Sequence, residues 1–241
     1  MGEAKRRKAS GQPPVKKRQS KRALIWGGSA ILLALIIALA VYLATPGTGP
    51  TGSLPDAPEG AAPFPAEVDQ YGVHLGDPDA PVVVREFADY QCPGCANFAR
   101  LHGQLKEQYI DTGKVRLVFF ELPLPQHANA MPAAQAARCA GDQDNYWGMN
   151  EKLFSNQSSW SRADDPVPLF ADYARELGLN EGRLQRCMAQ GLRREQVEDS
   201  LAVARQLRVA STPTVIVDNI PVPRPGWEQL SGIIDRQLDR Q

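Results

Sequence analysis

The sequence has few cysteines and histidines, the side chains that most often bind zinc. Its 241 residues include four cysteines and three histidines. Cys92 and Cys95 form a C-x-x-C pair, but Cys139 and Cys187 stand alone and the histidines show no ligand spacing. Because a structural zinc site needs four ligands, we expect no metal site. The C-x-x-C pair is then either a structural disulfide or a redox centre.

Charge is missing altogether from residues 23–45, ALIWGGSAILLALIIALAVYLAT. As a helix this segment would span about 34 Å, more than the roughly 30 Å hydrocarbon core of a bilayer. A soluble core helix of that length rarely lacks a polar face. A cleaved signal peptide, the closer alternative, has a shorter apolar region of about 7–15 residues. We therefore predict an uncleaved transmembrane helix.

The chain has no net charge, yet its charges are unevenly distributed. Residues 1–22 carry nine Lys or Arg and one acidic residue, a net charge of +8. The remainder holds 18 basic and 26 acidic residues, a net charge of −8. Basic residues beside a membrane helix stay cytoplasmic, which explains the tail without a nucleic-acid partner. We expect 1–22 to be a cytoplasmic tail and the body to lie outside the cytoplasmic membrane.

Cysteine is absent from the first 91 residues. Residues 46–66 are rich in Pro and Gly and predict a linker. All four cysteines therefore lie in the body, 67–241, which is long enough for one domain. Outside the cytoplasm thiols oxidise and stay oxidised, and an even number of cysteines fits two disulfides.

The body begins with a strand–helix–strand pattern. Residues 81–90 and 114–122 are apolar and β-branched and predict strands. Between them, apolar residues at helical spacing predict one helix that starts near Cys92 and stops at Gly113. Such a helix can serve as the crossover of a largely parallel sheet.

Helical patterns dominate the next part of the body, about 126–208, including a helix with Asp165 as its N-cap. Strand character returns at 212–219, and the IPVP sequence that follows can pair beside it. A last helix is predicted over 227–238. The body is thus an α/β domain with a helical insertion.

The C-x-x-C pair is predicted at the start of a helix. Pro93 suits the first helical position, where its missing N–H has no cost, and this places Cys92 just before it. A helix N-terminus stabilises a thiolate, and C-x-x-C pairs in that setting are redox centres. Cys95 lies one turn further in and is expected to be more buried. These features favour a redox centre over a structural disulfide.

A second signal is the sequence STPT at 211–214. In one interpretation Pro213 simply initiates a strand. In the other, Thr212–Pro213 is a cis-proline loop that packs against the disulfide and offers backbone groups to an extended substrate segment. A cis bond is not visible in a sequence.

Three stretches together resemble the thioredoxin superfamily, specifically its DsbA-like branch of exported thiol:disulfide oxidoreductases. They are HLGDPDAPVVVREFADYQCPGC, ELPLPQHANAMPAAQAARCAGDQDNYWGMNEKLF and STPTVIVDN, and the resemblance covers about 71–238. It implies a thioredoxin-like α/β fold with an inserted helical domain. In this chain we expect one transmembrane helix before that fold.

The resemblance implies roles for individual residues. Cys92 matches the exposed, nucleophilic cysteine of the family and Cys95 matches its partner. Pro213 matches the cis-proline and Thr212 the substrate-binding residue before it.

Glu86 matches a buried acid that handles protons for the buried cysteine in family members. The alternative is an ordinary charge at a strand edge. Because Glu86 follows Arg85, only one of the two is expected to face the interior of an alternating strand.

The dipeptide between the cysteines departs from the family pattern. Pro93 and Gly94 are expected to border the bound substrate, and the best-known oxidases of this branch have histidine where this chain has Gly94. The dipeptide tunes thiolate stability and hence the reduction potential, which varies widely among C-x-x-C proteins. Gly94 in place of histidine affects the predicted direction of thiol exchange, oxidation or reduction of the substrate, more than it affects the predicted fold.

The insertion carries the other two cysteines, Cys139 and Cys187, each within a predicted helix. We expect a structural disulfide that joins two helices. A second redox pair that relays electrons to Cys92–Cys95, or two free thiols, are the alternatives. A disulfide closing a loop of this length contributes about 4 kcal/mol in the chain-entropy model.

Other residues give weaker signals. His127 precedes a predicted helix and either caps it or packs near the redox site. His74 and His102 belong to no recognisable constellation. The aromatic residues of the insertion are expected to form its core, or in part to line a substrate groove; they are Trp147, Phe154 and Trp160.

The resemblance implies an enzyme that donates the Cys92–Cys95 disulfide to exported proteins that contain cysteines, without a metal or organic cofactor. Re-oxidation would need a membrane partner, a quinone-linked oxidase of the DsbB or vitamin K epoxide reductase type, with residues 23–45 in the same bilayer. Two alternatives remain: an exported reductase or isomerase with the same fold, and a non-catalytic thioredoxin-like adaptor.

Overall fold

The computed structural model describes residues 54–60 and 62–241. The predicted tail 1–22, the predicted transmembrane helix 23–45 and the first part of the predicted linker, 46–53, lie outside the described residues. Among the residues that are described, no helix is both long enough and apolar enough to cross a membrane.

One five-stranded sheet, in the order β1-β3-β2-β4-β5, organises the domain. The strands are β1 (Val73–Leu75), β2 (Val82–Ala88), β3 (Val115–Glu121), β4 (Thr214–Val217) and β5 (Ile220–Pro221). The predicted strands at 81–90, 114–122 and 212–219 are confirmed, each shorter by one or two residues at either end. β1 was not predicted, because three residues carry too little pattern.

The prediction of a largely parallel sheet is wrong. β2 and β3 run parallel, joined by the predicted helical crossover, but the other neighbouring strands in the described sheet pair antiparallel. The short link between β4 and β5, with Asp218 at φ 52°, allows only an antiparallel hairpin. The Asp218 carboxylate also accepts a hydrogen bond from the Val83 N–H at 2.9 Å and so ties this hairpin to β2.

The crossover between β2 and β3 is broken, although one continuous helix was predicted up to Gly113. It consists of α1 (Pro93–Ala99) and α2 (His102–Leu105), and α2 runs into a π-helical turn, Lys106–Ile110. At the break, the Leu101 N–H donates to the Phe98 carbonyl at 2.8 Å. This three-residue spacing tightens the turn and changes the direction in which α2 presents its side chains.

Helices cover both faces of the sheet. On one face Val84 and Val217 pack with Leu105 and with Ile233 of the last helix, α9 (Trp227–Leu238). On the other face lies a second cluster that includes Phe87, Phe120 and Val203, with the two phenylalanine rings stacked at 4.5 Å. Because neither face is open to solvent, β2 and β3 are buried along almost their whole length.

The segment between β3 and β4 is helical, as predicted. It comprises α3 (Ala130–Gly141), α4 (Tyr146–Ser155), α5 (Gln157–Trp160), α6 (Val167–Glu176), α7 (Glu181–Ala189) and α8 (Arg194–Gln206). Six alanines of α3 are buried, and their small side chains let neighbouring helices approach closely; they are Ala130, Ala133, Ala134, Ala136, Ala137 and Ala140.

The predicted N-cap of α6 is displaced by one residue. The cap position is Pro166 rather than Asp165. The Asp165 carboxylate still accepts a hydrogen bond from the Val167 N–H at 3.0 Å, so it satisfies an amide of the first turn from one position further out.

Candidate redox site

The C-x-x-C pair lies at the start of α1, directly after β2. Cys92 occupies the N-cap and Pro93 the first helical position. The loop before the helix is held in place because the Gln157 side chain donates to the carbonyls of Tyr90, at 2.7 Å, and Cys92, at 2.9 Å. Cys92 is half-buried and Cys95 is fully buried, and both are free thiols. One sulfur is therefore accessible from outside and the other lies behind it.

Cys95 has a strongly shifted acidity. Burial raises the pKa of its thiol well above the usual range; a hydrogen bond from the Asp89 N–H, at 3.4 Å, acts in the opposite direction. The neighbouring charges of Cys92 and Glu86 raise this pKa further. Cys95 therefore holds its proton firmly whenever it is not in a disulfide.

The Thr212–Pro213 bond is cis and lies against the redox pair. The Cys92 thiol faces the Thr212 carbonyl, with an S···O distance of 3.6 Å. A Cβ atom added to Gly94 would lie 3.2 Å from Cδ of Pro213, which is closer than an ordinary contact. Gly94 thus lets the proline approach the helix start, and the distant STPT stretch becomes part of the site.

Glu86 is buried on β2, and so is its neighbour Arg85. The expectation that only one of them faces the interior is wrong, because both faces of the sheet are covered. Arg85 points to the opposite face, where it makes two 2.7 Å hydrogen bonds to Asp69 and lies 4.0 Å from the centre of the Phe64 ring. The strand-edge alternative for Glu86 is likewise wrong, since β2 is a central strand.

Glu86 has a partner that the sequence did not indicate. Its Oε2 atom lies 2.7 Å from Nε2 of His102, the first residue of α2. The interpretation of His102 as a residue without a constellation is therefore wrong. His102 follows the break in the crossover after Ala99, which the sequence analysis did not predict.

His127 lies near the redox pair, as one of its two interpretations proposed. Its Nδ1 atom is 2.7 Å from Oδ2 of Asp89, the residue whose N–H faces Cys95. Asp89 Oδ2 also accepts the Leu124 N–H at 2.8 Å, and Oδ1 accepts the Gln91 N–H at 2.7 Å. These hydrogen bonds of Asp89 hold the turn before α1 in place. Sequence reasoning missed it, although an acid between a buried strand and a C-x-x-C pair was a usable signal.

A buried polar network lies behind the site. The Tyr146 hydroxyl donates to Glu121 at 2.8 Å, Arg138 pairs with the same carboxylate at 2.7 Å, and the Tyr90 and Tyr146 hydroxyls are 3.0 Å apart. Asn150 donates to the Tyr90 hydroxyl at 2.9 Å. Burial raises the pKa of Tyr90 and Tyr146, and the charge of Glu121 adds to this effect. The network fastens the insertion to β3 and to the loop that carries the redox pair.

The insertion contains one disulfide, between Cys139 of α3 and Cys187 of α7. Both residues are buried. Trp160 and Phe154 are core residues, as expected, whereas Trp147 is half-buried. Within 54–60 and 62–241, no cluster of three or more His, Cys, Asp or Glu has the geometry of a metal site.

Comparisons with known proteins agree with this geometry. A family model described as thioredoxin matches residues 69–236. The "Probable disulfide bond formation protein D" of Bacillus anthracis is 29% identical over 170 residues, which covers 69% of this chain and 78% of that protein.

Two solved structures are similar to the greater part of this chain. BdbD from Bacillus subtilis, in its oxidised form, superposes with a TM-score of 0.62 at 25% identity, covering 70% of this chain and 94% of that one. Chlamydia trachomatis DsbA has a TM-score of 0.63 at 22% identity, covering 71% and 94%, and supports the fold alone. With the family model matching well over half of its length, the chain belongs to the thioredoxin family, in the form with a helical insertion.

Proposed function

We propose that this chain, a protein-disulfide oxidoreductase, donates the Cys92–Cys95 disulfide to exported proteins. The observation that carries the proposal is the asymmetry of the pair. Cys92 begins a helix and is accessible, whereas Cys95 is buried behind it. A substrate thiolate can therefore reach the Cys92 sulfur. The Cys95 sulfur, which leaves, is shielded from reagents in the solvent.

The reaction takes two exchanges. A substrate thiolate attacks Cys92, the Cys92–Cys95 bond breaks, and Cys95 leaves with the electron pair and takes up a proton. A second substrate thiolate then attacks the substrate sulfur of the mixed disulfide, and Cys92 leaves as a thiolate. The substrate loses two electrons, and the enzyme ends as a dithiol.

The oxidising direction is supported by the helix start. Cys92 occupies the N-cap of α1, and the N-terminus of a helix favours a negative charge on a group placed there. The reduced enzyme is favoured accordingly, so that the disulfide passes to the substrate. The buried, firmly protonated thiol of Cys95 supports the same direction, because it must give up its proton before it can re-attack the Cys92 sulfur.

Substrate binding is proposed for the surface around Cys92. The cis-proline loop, Thr212 and Pro213, would pair with an extended segment of the substrate through its backbone groups. Pro93 and Gly94 would border that segment from the helix side. The absence of a side chain at Gly94 supports close approach of the substrate backbone.

The location of the enzyme is part of the proposal. Residues 1–22 would be a cytoplasmic tail and residues 23–45 a single membrane anchor, followed by the linker 46–66 and the catalytic domain 67–241 on the outer side. The insertion about 126–208 and its disulfide suit an oxidising compartment. A quinone-linked membrane oxidase of the DsbB or vitamin K epoxide reductase type would restore the Cys92–Cys95 disulfide.

The test is oxidative refolding of a reduced, unfolded secreted ribonuclease by the oxidised full-length protein. We expect ribonuclease activity to return in proportion to the enzyme added. Cys92→Ser should lose this activity by at least about a thousandfold, because the attacked sulfur is gone.

Two outcomes would contradict the proposal. If the wild-type protein leaves the ribonuclease reduced but cleaves the disulfides of insulin, it is a reductase. If cells that carry the Cys92→Ser variant still form disulfides in exported proteins as the wild type does, the chain is a non-catalytic adaptor.

A further inference from the structure

A groove of about 480 Å³ opens between the crossover helices and α4 of the insertion. Its walls are mostly apolar and include Ala99, Leu117, Trp147 and Phe154. Charged and titratable side chains also line it, namely Arg100, His102, Lys106 and Glu151. The groove therefore connects solvent with the ring of His102.

The other side of the His102 ring contacts a closed region of the protein. His102 is 17% exposed in its side chain, while the Glu86 carboxylate bonded to it is fully buried. The second carboxylate oxygen of Glu86, Oε1, is buried and has no hydrogen-bond partner among the described residues. A buried oxygen without a partner costs about 1–3 kcal/mol, so its retention calls for a function.

Cys95 needs a route for its proton. The thiol gains a proton when the Cys92–Cys95 disulfide opens and loses it when the disulfide forms, yet Cys95 has no exposed surface. The charge of Glu86 acts on Cys95, which places this carboxylate within electrostatic reach of the sulfur. Glu86 is therefore positioned between a buried thiol and a ring that meets solvent.

We propose that His102 carries protons between the solvent in the groove and Glu86, which exchanges them with Cys95. This inference rests on the proposed function, because the proton path serves thiol exchange. When Cys95 leaves as a thiolate, His102 passes a proton from the solvent to the Glu86 carboxylate, and Glu86 gives it to the Cys95 sulfur. When the disulfide re-forms, the Cys95 proton passes to the Glu86 carboxylate and leaves through His102.

The surroundings of His102 define what a variant would change. Glu86 of β2 contacts the ring, and the other charged groups that line the same groove are Arg100, Lys106 and Glu151. Of these, Glu86 is the one bonded to the ring. His102 acts on Cys95 through Glu86 and is therefore a positioning residue, and its replacement should alter proton transfer and leave the access to Cys92 unchanged.

The test follows one intramolecular step. Reduced full-length protein is mixed with 5,5′-dithiobis(2-nitrobenzoate), which forms a mixed disulfide at Cys92 and releases one thionitrobenzoate. Attack by Cys95 then releases a second thionitrobenzoate, together with the Cys95 proton. Stopped-flow absorbance between pH 5 and 9 gives the rate of this second release.

We expect His102→Ala to slow the second release about tenfold to a hundredfold at neutral pH, the lower part of the range for acid–base assistance. The dependence of the rate on pH should also change, because the group that exchanges protons with the solvent is gone. Added imidazole should restore the rate, because it can enter the groove. His102→Gln keeps a hydrogen bond to Glu86 and should be equally slow, which separates proton transfer from folding.

Two matched variants complete the experiment. His74→Ala removes a histidine that bonds the Asp69 carbonyl outside the groove, and it should keep the wild-type rate. Glu86→Gln should be slow and should not respond to imidazole. The first release, at Cys92, should be the same in all variants.

The outcomes distinguish this inference from the proposed function. If the wild-type protein gives no second release, the proposed thiol exchange is wrong. If the wild-type protein gives it and His102→Ala matches it in rate and pH profile, the proton path is overturned. A slow His102→Ala variant with an unchanged pH profile and no response to imidazole would also overturn it, since His102 would then only support packing.

Discussion

The two cysteine pairs of this chain lie in contrasting environments. Cys139 and Cys187 join two helices of the insertion across 48 residues, and both are buried. Cys92 and Cys95 lie one helical turn apart, and Cys92 reaches the surface beside the Thr212 carbonyl. The comparison teaches that access to one sulfur, with its partner sulfur buried behind it, distinguishes a pair suited to exchange from a pair suited to stabilisation.

The largest effect on free energy is expected from removing the disulfide of the insertion. The double variant Cys139→Ser, Cys187→Ser should lower the free energy of unfolding by about 4 kcal/mol, because a cross-link over 48 residues restricts the unfolded chain. Urea denaturation of the oxidised proteins measures this difference. The rate of thiol exchange at Cys92 should stay within about twofold of the wild type. A large loss of exchange would instead indicate that the second pair relays electrons.

The next effect separates the two sulfurs of the exchanging pair. Burial and the neighbouring charges raise the pKa of Cys95, and each pKa unit above the ambient pH lowers the thiolate fraction tenfold. Iodoacetamide at pH 7 should therefore alkylate Cys92 at least about a hundredfold faster than Cys95. Mass spectrometry of the reduced protein measures both rates. Equal labelling would show that Cys95 is not shielded.

A smaller effect concerns stability against pH. The unfolded chain releases the Cys95 proton near the ordinary thiol pKa, whereas the folded chain keeps it because burial raises the pKa. Above about pH 8.5 the reduced protein should therefore lose up to roughly 1.4 kcal/mol per pH unit relative to Cys95→Ala, and below that pH the two slopes should coincide. Chemical denaturation at a series of pH values measures this difference. Parallel curves at high pH would contradict the buried, neutral thiol.

The smallest effect concerns the dipeptide. Gly94→His places a partly positive ring near the Cys92 sulfur, which favours the thiolate and hence the reduced form. We expect the reduction potential to rise by about 20 mV, roughly 1 kcal/mol. Equilibration with glutathione measures it, and Gly94→Ala, which introduces the same contact with Pro213 without charge, is the control. A shift of the same size in both variants would assign the effect to crowding.

Local patterns predicted the elements that form the site. A β-branched strand, a proline after Cys92 and a helical spacing are short-range features. They indicated where the helix starts and that Cys95 is more buried than Cys92. The helical insertion was visible for the same reason, since its periodic stretches are long. Thr212 and Pro213 lie far away in sequence; the STPT sequence left two interpretations open, and the resemblance to a family favoured the cis-proline loop.

The remaining features depend on contacts that no local pattern records. The bond between Glu86 and His102 joins β2 to α2, and the break between α1 and α2 that precedes His102 was not predicted from the sequence. The burial of both Arg85 and Glu86 requires helices on both faces of the sheet and the nearby carboxylate of Asp69. A sequence predicts the burial of a charged residue only when the residue that pairs with it is known.

The measurement that tests the account most directly is the equilibrium reduction potential of Cys92–Cys95 in glutathione buffers. The double variant Cys139→Ser, Cys187→Ser serves as the control that isolates this pair. The account predicts a potential well above the roughly −270 mV of thioredoxin, at about −200 mV or higher, as suits a donor of disulfides. A value at or below that of thioredoxin would contradict it and would identify a reductase.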